Sequence, residues 1–427
     1  MPRTSTARVW RRLSIALPWL ALATGASGQD AARVYEQYAT AVAKVELVEA
    51  RSGAPSAVGT AFFVAPSLLL TNYHVVQELL FRPRAYALRL VPTDGVDAGA
   101  VRIVAIDPAN DLAVLRVDRV HGSPLSLAPD SIPTGEVLYS IGHPADLRTA
   151  VVEGTYNGAV DAAAAALVHF SGSINPGMSG GPTVRATGEV VGINVSTAGN
   201  QLSFLIPARV ARALLADLPT EEAPDLDAVK REGTRRLLAF QDAFFAPLVA
   251  APLPTTRIGS ASLPAGPDAA FDCSAEPHDL EDEPYEMIEY VCFTQDDMLL
   301  GPGGGYDLIY MEHMYLASET LNPVAFNALV SEWHSAVLEW EVPVNDDATR
   351  YRCERRTLDE GLAAQMVVIF CARAHLSHPG LLDLFVRSTL RGGNGEAVVS
   401  TLRSAAISWD NARGLTRRWL EGFQWMP

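Results

Sequence analysis

Asn175-Pro176-Gly177-Met178-Ser179-Gly180-Gly181-Pro182 sets one serine among three glycines, and the continuation of that turn decides how the first half of the chain folds. A serine that sits on a strand-to-helix elbow is followed at once by a helix. Here Pro182 and Gly188 break the residues that follow, and a strand-like run resumes at Glu189. The serine therefore belongs to a loop between strands. Working outward, short apolar or alternating segments recur at Val42 to Val48, Val58 to Val64, Ala85 to Val91, Val101 to Ile106, Leu112 to Val117, Val137 to Ile141, Ala166 to Phe170, Pro182 to Val184, Val190 to Val195 and Leu202 to Ile206. Gly, Pro, Asp and Asn separate them, the pattern of an all-β barrel or sandwich. A short helix is expected at Ala31 to Thr40, and a closing helix between Pro207 and Leu218.

A serine hydroxyl is a weak nucleophile at neutral pH and needs a base within hydrogen-bond reach, with a third group fixing the tautomer of that base. His74, in Leu70-Thr71-Asn72-Tyr73-His74-Val75-Val76, is the candidate base. Asp111, in Asn110-Asp111-Leu112-Ala113-Val114-Leu115, opens a strand and is the candidate orienting acid. Gly177 and Ser179 can offer backbone N–H groups to an oxyanion. Each piece alone has a bland reading as a core histidine, a turn former or a simple turn. The order His74, Asp111, Ser179 is the stronger signal, that of an acyl-transfer site.

The segments Gly59-Thr60-Ala61-Phe62-Phe63, Thr71 to Val76, Asp111 to Leu115, Ile141-Gly142-His143-Pro144, Ser173 to Pro182, Gly192-Ile193-Asn194 and Phe204-Leu205-Ile206-Pro207 together resemble trypsin-like serine endopeptidases, most closely the bacterial HtrA-type branch. The resemblance covers about residues 40 to 210. It implies a double six-stranded β-barrel with the site between the barrels, His74 and Asp111 from the first and Ser179 from the second. His143 falls where that branch has Asn, and a structural role is expected of it. Met178 replaces the acid or amide usual beside the serine, and there is no Ile-Val-Gly-Gly start, so activation by a freshly cut N-terminus is not expected. After residue 215 no carboxylate-binding loop of PDZ type is found. The expected walls of the primary pocket are Ser173, Ile174, Asn175, Ile193, Asn194 and Val195; none is acidic, which favours a small or medium apolar side chain at the cleaved position.

The flanking sequence bounds the setting. Residues 1 to 28 carry Arg3, Arg8, Arg11 and Arg12, an apolar run from Leu13 to Thr24 and small residues up to Gly28. They read as a secretory signal cleaved near Gly28, since Pro18 interrupts a run too short to span a bilayer. A periplasmic or extracellular protein without a spanning segment in its mature chain is expected. The net charge is −16, and −20 without the signal, which makes nucleic acid an improbable partner. Residues 29 to 215 hold 16 acids and 13 bases, whereas residues 216 to 427 hold 33 and 16.

The expected domains are a protease-like unit at 29–218, an acidic and Pro-rich linker at 219–270 with a helix at about 226–246, and an α+β domain of unknown role at 271–427. That last unit is read from strand-like runs at Met287 to Phe293, Leu308 to Leu316, Arg350 to Arg355, Met366 to Ala374 and Leu384 to Leu390, with helices at Pro323 to Glu339 and Glu396 to Phe423. All four cysteines, Cys273, Cys292, Cys353 and Cys371, lie in it. An even count beside an export signal implies disulfides, with three pairings open; the local scheme would join neighbouring strands. Zinc is disfavoured because no Cys-x-x-Cys pair occurs. The acids from Asp279 to Glu283 lack the spacing of a calcium loop, and Gly301 to Gly305 lacks the lysine and helix of a phosphate loop. Neither a metal nor a cofactor is expected. The whole chain therefore reads as an exported serine endopeptidase of proteins or peptides whose acidic second half regulates it, docks substrate or binds a protein partner. The alternative is a catalytically silent binding or sensor protein on the same barrel.

Overall fold

In the computed structural model the described residues are 26–119, 124–129, 131–160, 165–218, 224–267, 271–278, 283–294, 297–299, 305–335, 347–358, 366–393 and 395–426. Helix α1 (Ala26–Tyr38) leads into strands β1 (Val42–Glu49), β2 (Pro55–Ala65) and β3 (Leu68–Thr71), helix α2 (Tyr73–Phe81), then β4 (Tyr86–Pro92), β5 (Val101–Asp107) and β6 (Leu112–Val117). These six strands form one antiparallel sheet in the order β4-β1-β2-β3-β6-β5. Among the described residues no ladder joins its edges, so the first of the two expected barrels is open. Strands β7 (Val137–Gly142), β8 (Ala150–Ala159), β9 (Val168–Phe170), β10 (Pro182–Val184), β11 (Val190–Thr197) and β12 (Ser203–Pro207) close the second barrel, and α3 (Ala208–Ala216) follows.

The near-continuous apolar runs of the first sheet have a simple cause: both faces are buried. Ala43, Val45, Ala61, Phe63, Leu69, Ala113 and Leu115 fill the core of that sheet. Their neighbours Val42, Phe62, Leu70, Leu112 and Val114 point the other way, into a cluster shared with Tyr139, Ile141, Val190, Ile193 and Ile206 of the closed barrel. Side chains alternate across a strand, so a strand between two cores shows no polar face. Gly28, the expected cleavage point, lies within α1, and the signal-like residues before Ala26 lie outside the described residues.

Helix α4 (Leu226–Ala250) is capped by the Asp225 carboxylate, which accepts from Ala228 N at 2.6 Å. Hairpin β13 (Thr255–Ile258) and β14 (Ala261–Pro264) precedes β15 (Phe271–His278), β16 (Glu286–Thr294), a small hairpin of β17 (Asp297–Leu299) and β18 (Gly305–Asp307), and β19 (Tyr310–Ala317). Helix α5 (Pro323–Ser335), β20 (Arg352–Leu358), β21 (Met366–Ala374), β22 (Leu381–Arg391), β23 (Glu396–Ser408), α6 (Trp409–Glu421) and β24 (Gln424–Trp425) complete the chain. The large sheet is antiparallel in the order β15-β16-β19-β23-β22-β21-β20. The hairpin, the end of α4 and α6 cover one face, and α5 covers the other.

Two expectations are corrected. The stretch 219–270 is not a plain linker: α4 extends to Ala250, and the Pro-rich residues beyond it form the β13–β14 hairpin, whose Ile258, Ala261 and Leu263 are buried in the core of the second unit. Glu396 to Phe423 is not one helix, because β23 occupies its first half. Val398 and Leu402 face one core and Ala397 and Val399 the other, so this central strand lacks the alternation that marks a strand. The cysteines form the local pairs Cys273–Cys292 and Cys353–Cys371, directly opposite on β15–β16 and β20–β21. Each edge strand of the large sheet is thereby tied to its inner neighbour. Among the described residues there is no cluster suited to a metal ion. Asp279, Glu281, Asp282 and Gly301 to Gly304 lie outside them.

Candidate active site

Strand β3 delivers Thr71 and Asn72, and α2 starts immediately, so His74 stands on the first turn of a helix. The helix forms because Tyr73, Val76 and Leu80 share one face and are buried in the first core. Asp111 follows the single turn Pro108–Asn110, itself capped by Asp107, whose carboxylate accepts from Asn110 N. Asp111 has φ 50° and ψ 45°, a left-handed conformation that costs a non-glycine residue about 1 kcal/mol. Three donors hold it there. Tyr73 N and Asn72 Nδ2 donate to its carbonyl at 3.1 and 2.9 Å, and His74 N donates to Oδ1 at 2.8 Å.

The second carboxylate oxygen accepts from His74 Nδ1 at 2.6 Å. A carboxylate only accepts, so this contact puts the ring proton on Nδ1 and leaves Nε2 as the basic nitrogen. Burial works against charge on the ring, but the charge and hydrogen bond of Asp111 outweigh it, and the His74 pKa is raised above its ordinary value. The imidazole keeps 31% of its surface exposed, against 11% for the Asp111 carboxylate, so one edge of the pair is open.

Ser179 comes from the loop before β10. Gly177 (φ 93°) and Gly180 (φ 83°) supply the left-handed turns on either side of it. A Cβ at Gly177 would lie 2.3 Å from His143 O, and one at Gly180 2.2 Å from Thr60 O, so backbone packs on backbone at both. Met178 between them is fully buried with Ile174, Phe170 and Leu205, and anchors the loop by apolar burial. Loop and first sheet meet directly: Thr60 N donates to Ser179 O at 2.8 Å and Thr60 Oγ1 to Gly177 O at 2.7 Å.

The amides of this loop divide into two sets. Met178, Gly180 and Gly181 donate to Asn175 O, Asn194 O and Met178 O. Among the described residues Gly177 N and Ser179 N have no such partner. The Pro176 carbonyl accepts from Ala145 N at 2.7 Å, and in a trans peptide the attached Gly177 N–H points the opposite way. Those two amides can receive an anionic oxygen. Ser179 Oγ lies 3.5 Å from Val195 O, and among the described residues no hydrogen bond joins it to the His74 ring.

The pocket residues separate. Ser173 and Asn175 are exposed and Val195 is half-buried beside Ser179. Ile174 and Ile193 are buried in apolar clusters, and Asn194 is spent on structure: its amide donates to Met178 O and accepts from Ser140 and Thr183. These three side chains are packed inside the fold, whereas Ser173 and Asn175 reach its surface. His143 is buried with Thr60 and Thr149 on its two ring nitrogens. Two contributors escaped the sequence reading. Thr60 had a signal in its motif; Ala145, left-handed at φ 47°, had none.

Residues 59–193 match the model of the trypsin-like peptidase domain. The chain is 32% identical over 180 residues to a probable periplasmic serine endoprotease, DegP-like, of Rhizobium meliloti, covering 38% of this chain and 34% of that one. It is 30% identical over 201 residues to the serine protease HTRA1 of Xenopus tropicalis, covering 44% and 42%. Among solved structures, the serine endoprotease of Yersinia pestis is similar at 26% identity and TM-score 0.38, over 43% of this chain and 65% of that one. The chain spans about a third to two fifths of the length of the curated relatives it matches. It thus carries a trypsin-like peptidase domain with relatives of the HtrA and DegP type, followed by a β/α region.

Proposed function

We propose that the protein is an exported serine endopeptidase. The observation that carries this reading is the double hydrogen bond from His74 to Asp111, beside a glycine-flanked serine with two unspent amides. Ser179 Oγ attacks the substrate carbonyl while its proton passes to His74 Nε2. Gly177 N and Ser179 N hold the tetrahedral oxyanion, and the proton on His74 then goes to the leaving amine, leaving an acyl-enzyme that water hydrolyses by the same route. Asp111 keeps the imidazole in the required tautomer. The pocket rim of Ser173, Asn175 and Val195 offers no carboxylate for a Lys or Arg, which supports a small or medium apolar residue at the cleaved position. The acidic second half regulates the site or docks substrate. Two disulfides and the periplasmic DegP-like relative support a periplasmic or extracellular location.

One observation favours a second reading, a silent protease-like binding or sensor protein: Ser179 Oγ leans to Val195 O rather than to His74. Such contacts are often loose without substrate and tighten in the complex. Labelling with a fluorophosphonate decides between the readings. A stoichiometric adduct on the full chain that Ser179→Ala abolishes is expected; a folded parent that takes no label would leave the sensor reading standing.

A further inference from the structure

Helix α4 runs through three packed regions in succession. Val229 and Leu226 join the core of the first sheet, whose edges no ladder closes among the described residues. Gly233 then lies so close to β5 that a Cβ would meet Ile106 Cδ1 at 2.5 Å and Pro108 Cγ at 3.5 Å. One turn later Leu237, fully buried, packs with Leu308, Leu381, Ala405 and Ala406 of the second unit, and Ala109 packs on the same cluster. Pro108 and Ala109 belong to the turn that ends at Asp111. Phe245 and Leu248 finally enter the core under the large sheet.

Two further contacts tie the same corner to the helix that bears His74. Thr234 Oγ1 of α4 lies 2.9 Å from His378 Nδ1, and the His378 ring meets Phe81, the last residue of α2, edge-on at 6.0 Å. His378 is itself buried. Asp111 holds an unfavourable backbone conformation, which persists only where surroundings over-determine it. The α2 side supplies four hydrogen bonds to it, from Asn72 Nδ2, Tyr73 N, His74 N and His74 Nδ1, and α4 backs its turn.

Building on the serine-protease reading, we infer that α4 and the β22–β23 corner of the second unit position Asp111, and through it His74, from behind. Gly233, Leu237 and Ala109 are positioning residues; none reaches substrate. The second half is then neither a free tether nor a cap over the cleft, and whatever binds or loosens it reaches the site by this contact.

Gly233→Ala in the full chain tests this. Alanine favours the helix interior by about 1 kcal/mol over glycine, so any loss arises from the new methyl against Ile106. The expected result is a fluorophosphonate rate lowered about tenfold with the KM for peptides unchanged, as displacement of an orienting group predicts. Asp111 is what raises the affinity of His74 for a proton, so the acid limb of the rate profile should also move to lower pH. Adding Ile106→Ala, which removes both the Cδ1 and the Cγ1 that a Cβ at Gly233 would meet at 2.5 and 2.7 Å, should restore both. If Gly233→Ala does not fold, Leu238→Ala, at a half-buried position on the same cluster, replaces it with the same readouts. A folded variant with the parent rate and profile, or a loss with no movement of the limb, overturns the inference. A parent chain that takes no label fails the protease reading instead.

Discussion

Two histidine–carboxylate pairs occupy the two halves of the molecule, and their contacts are nearly the same length. His74 Nδ1 lies 2.6 Å from Asp111 Oδ2, and His375 Nε2 lies 2.7 Å from Asp383 Oδ1. What surrounds them differs. The His74 side chain is 31% exposed, whereas the His375 side chain is 1% exposed. Asp383 also accepts from Arg373 Nε at 2.7 Å and from Ala406 N at 3.4 Å, so its carboxylate is shared three ways at the bulge between β22 and β23. On the proposed reading one carboxylate orients a base; the other accepts from a residue in a left-handed conformation, Ala406 at φ 50°. Geometry within such a pair therefore does not identify a site. Exposure of the ring is what sets His74 apart.

The comparison is broken most directly by neutralising each carboxylate. Asp111→Asn should lower kcat about 10,000-fold, because the amide can stabilise the wrong tautomer of His74, with little change in thermal stability. Asp383→Asn should do the reverse. It takes the charge from one member of the buried Arg373–Asp383 pair, and breaking such a pair costs about 3–5 kcal/mol. The expected readout is a lowered unfolding midpoint in urea, with turnover of the folded protein reduced far less than by Asp111→Asn. A stable Asp383→Asn protein would show that the second pair is not a brace, and an active Asp111→Asn protein would remove the distinction from the other side.

How far each half could be read from sequence follows the same division. The candidate site of the first half is legible because the chemistry proposed for it needs residues that punctuate a chain: Gly177 and Gly180 at left-handed turns, Asp111 after a proline turn, His74 after a strand. Helix α2 was missed because Val75 and Val76 look like strand and nine residues are too few for a clear period. Ala145 carries no mark of its backbone conformation, which tertiary packing imposes. In the second half, strand β23 is buried on both faces and its Ala and Leu content imitates a helix. Gly233 went unread in the sequence: a lone glycine within a helical run costs stability, and only the packing against Ile106 shows why it is there.

The smallest expected effect separates the halves by pH. His74 must be neutral to accept a proton, and its pKa is raised, so activity should fall reversibly as the pH drops through a value above about 6.5. His313 behaves oppositely. It is fully buried between Tyr290, Trp419 and Phe423, and burial lowers its pKa to about 4, only partly opposed by its hydrogen bond to Pro264 O. His334 is lowered to about 4 as well, by burial and then by the charges of Arg387, Arg355 and Arg391. Below about pH 6.5 the unfolded chain binds protons that the folded one refuses. The stability tied to His313 is thus complete above about pH 6.5 and is lost as the pH falls towards about 4, in total on the order of 3 kcal/mol. Every tryptophan after residue 28 lies in the second half, so fluorescence reports on that half alone. Peptide cleavage should fade first on acidification while urea midpoints by fluorescence decline later, and His313→Gln should flatten only the second curve. Curves that fall together, or that both respond to His313→Gln, would mean that the two histidines do not titrate as independent groups.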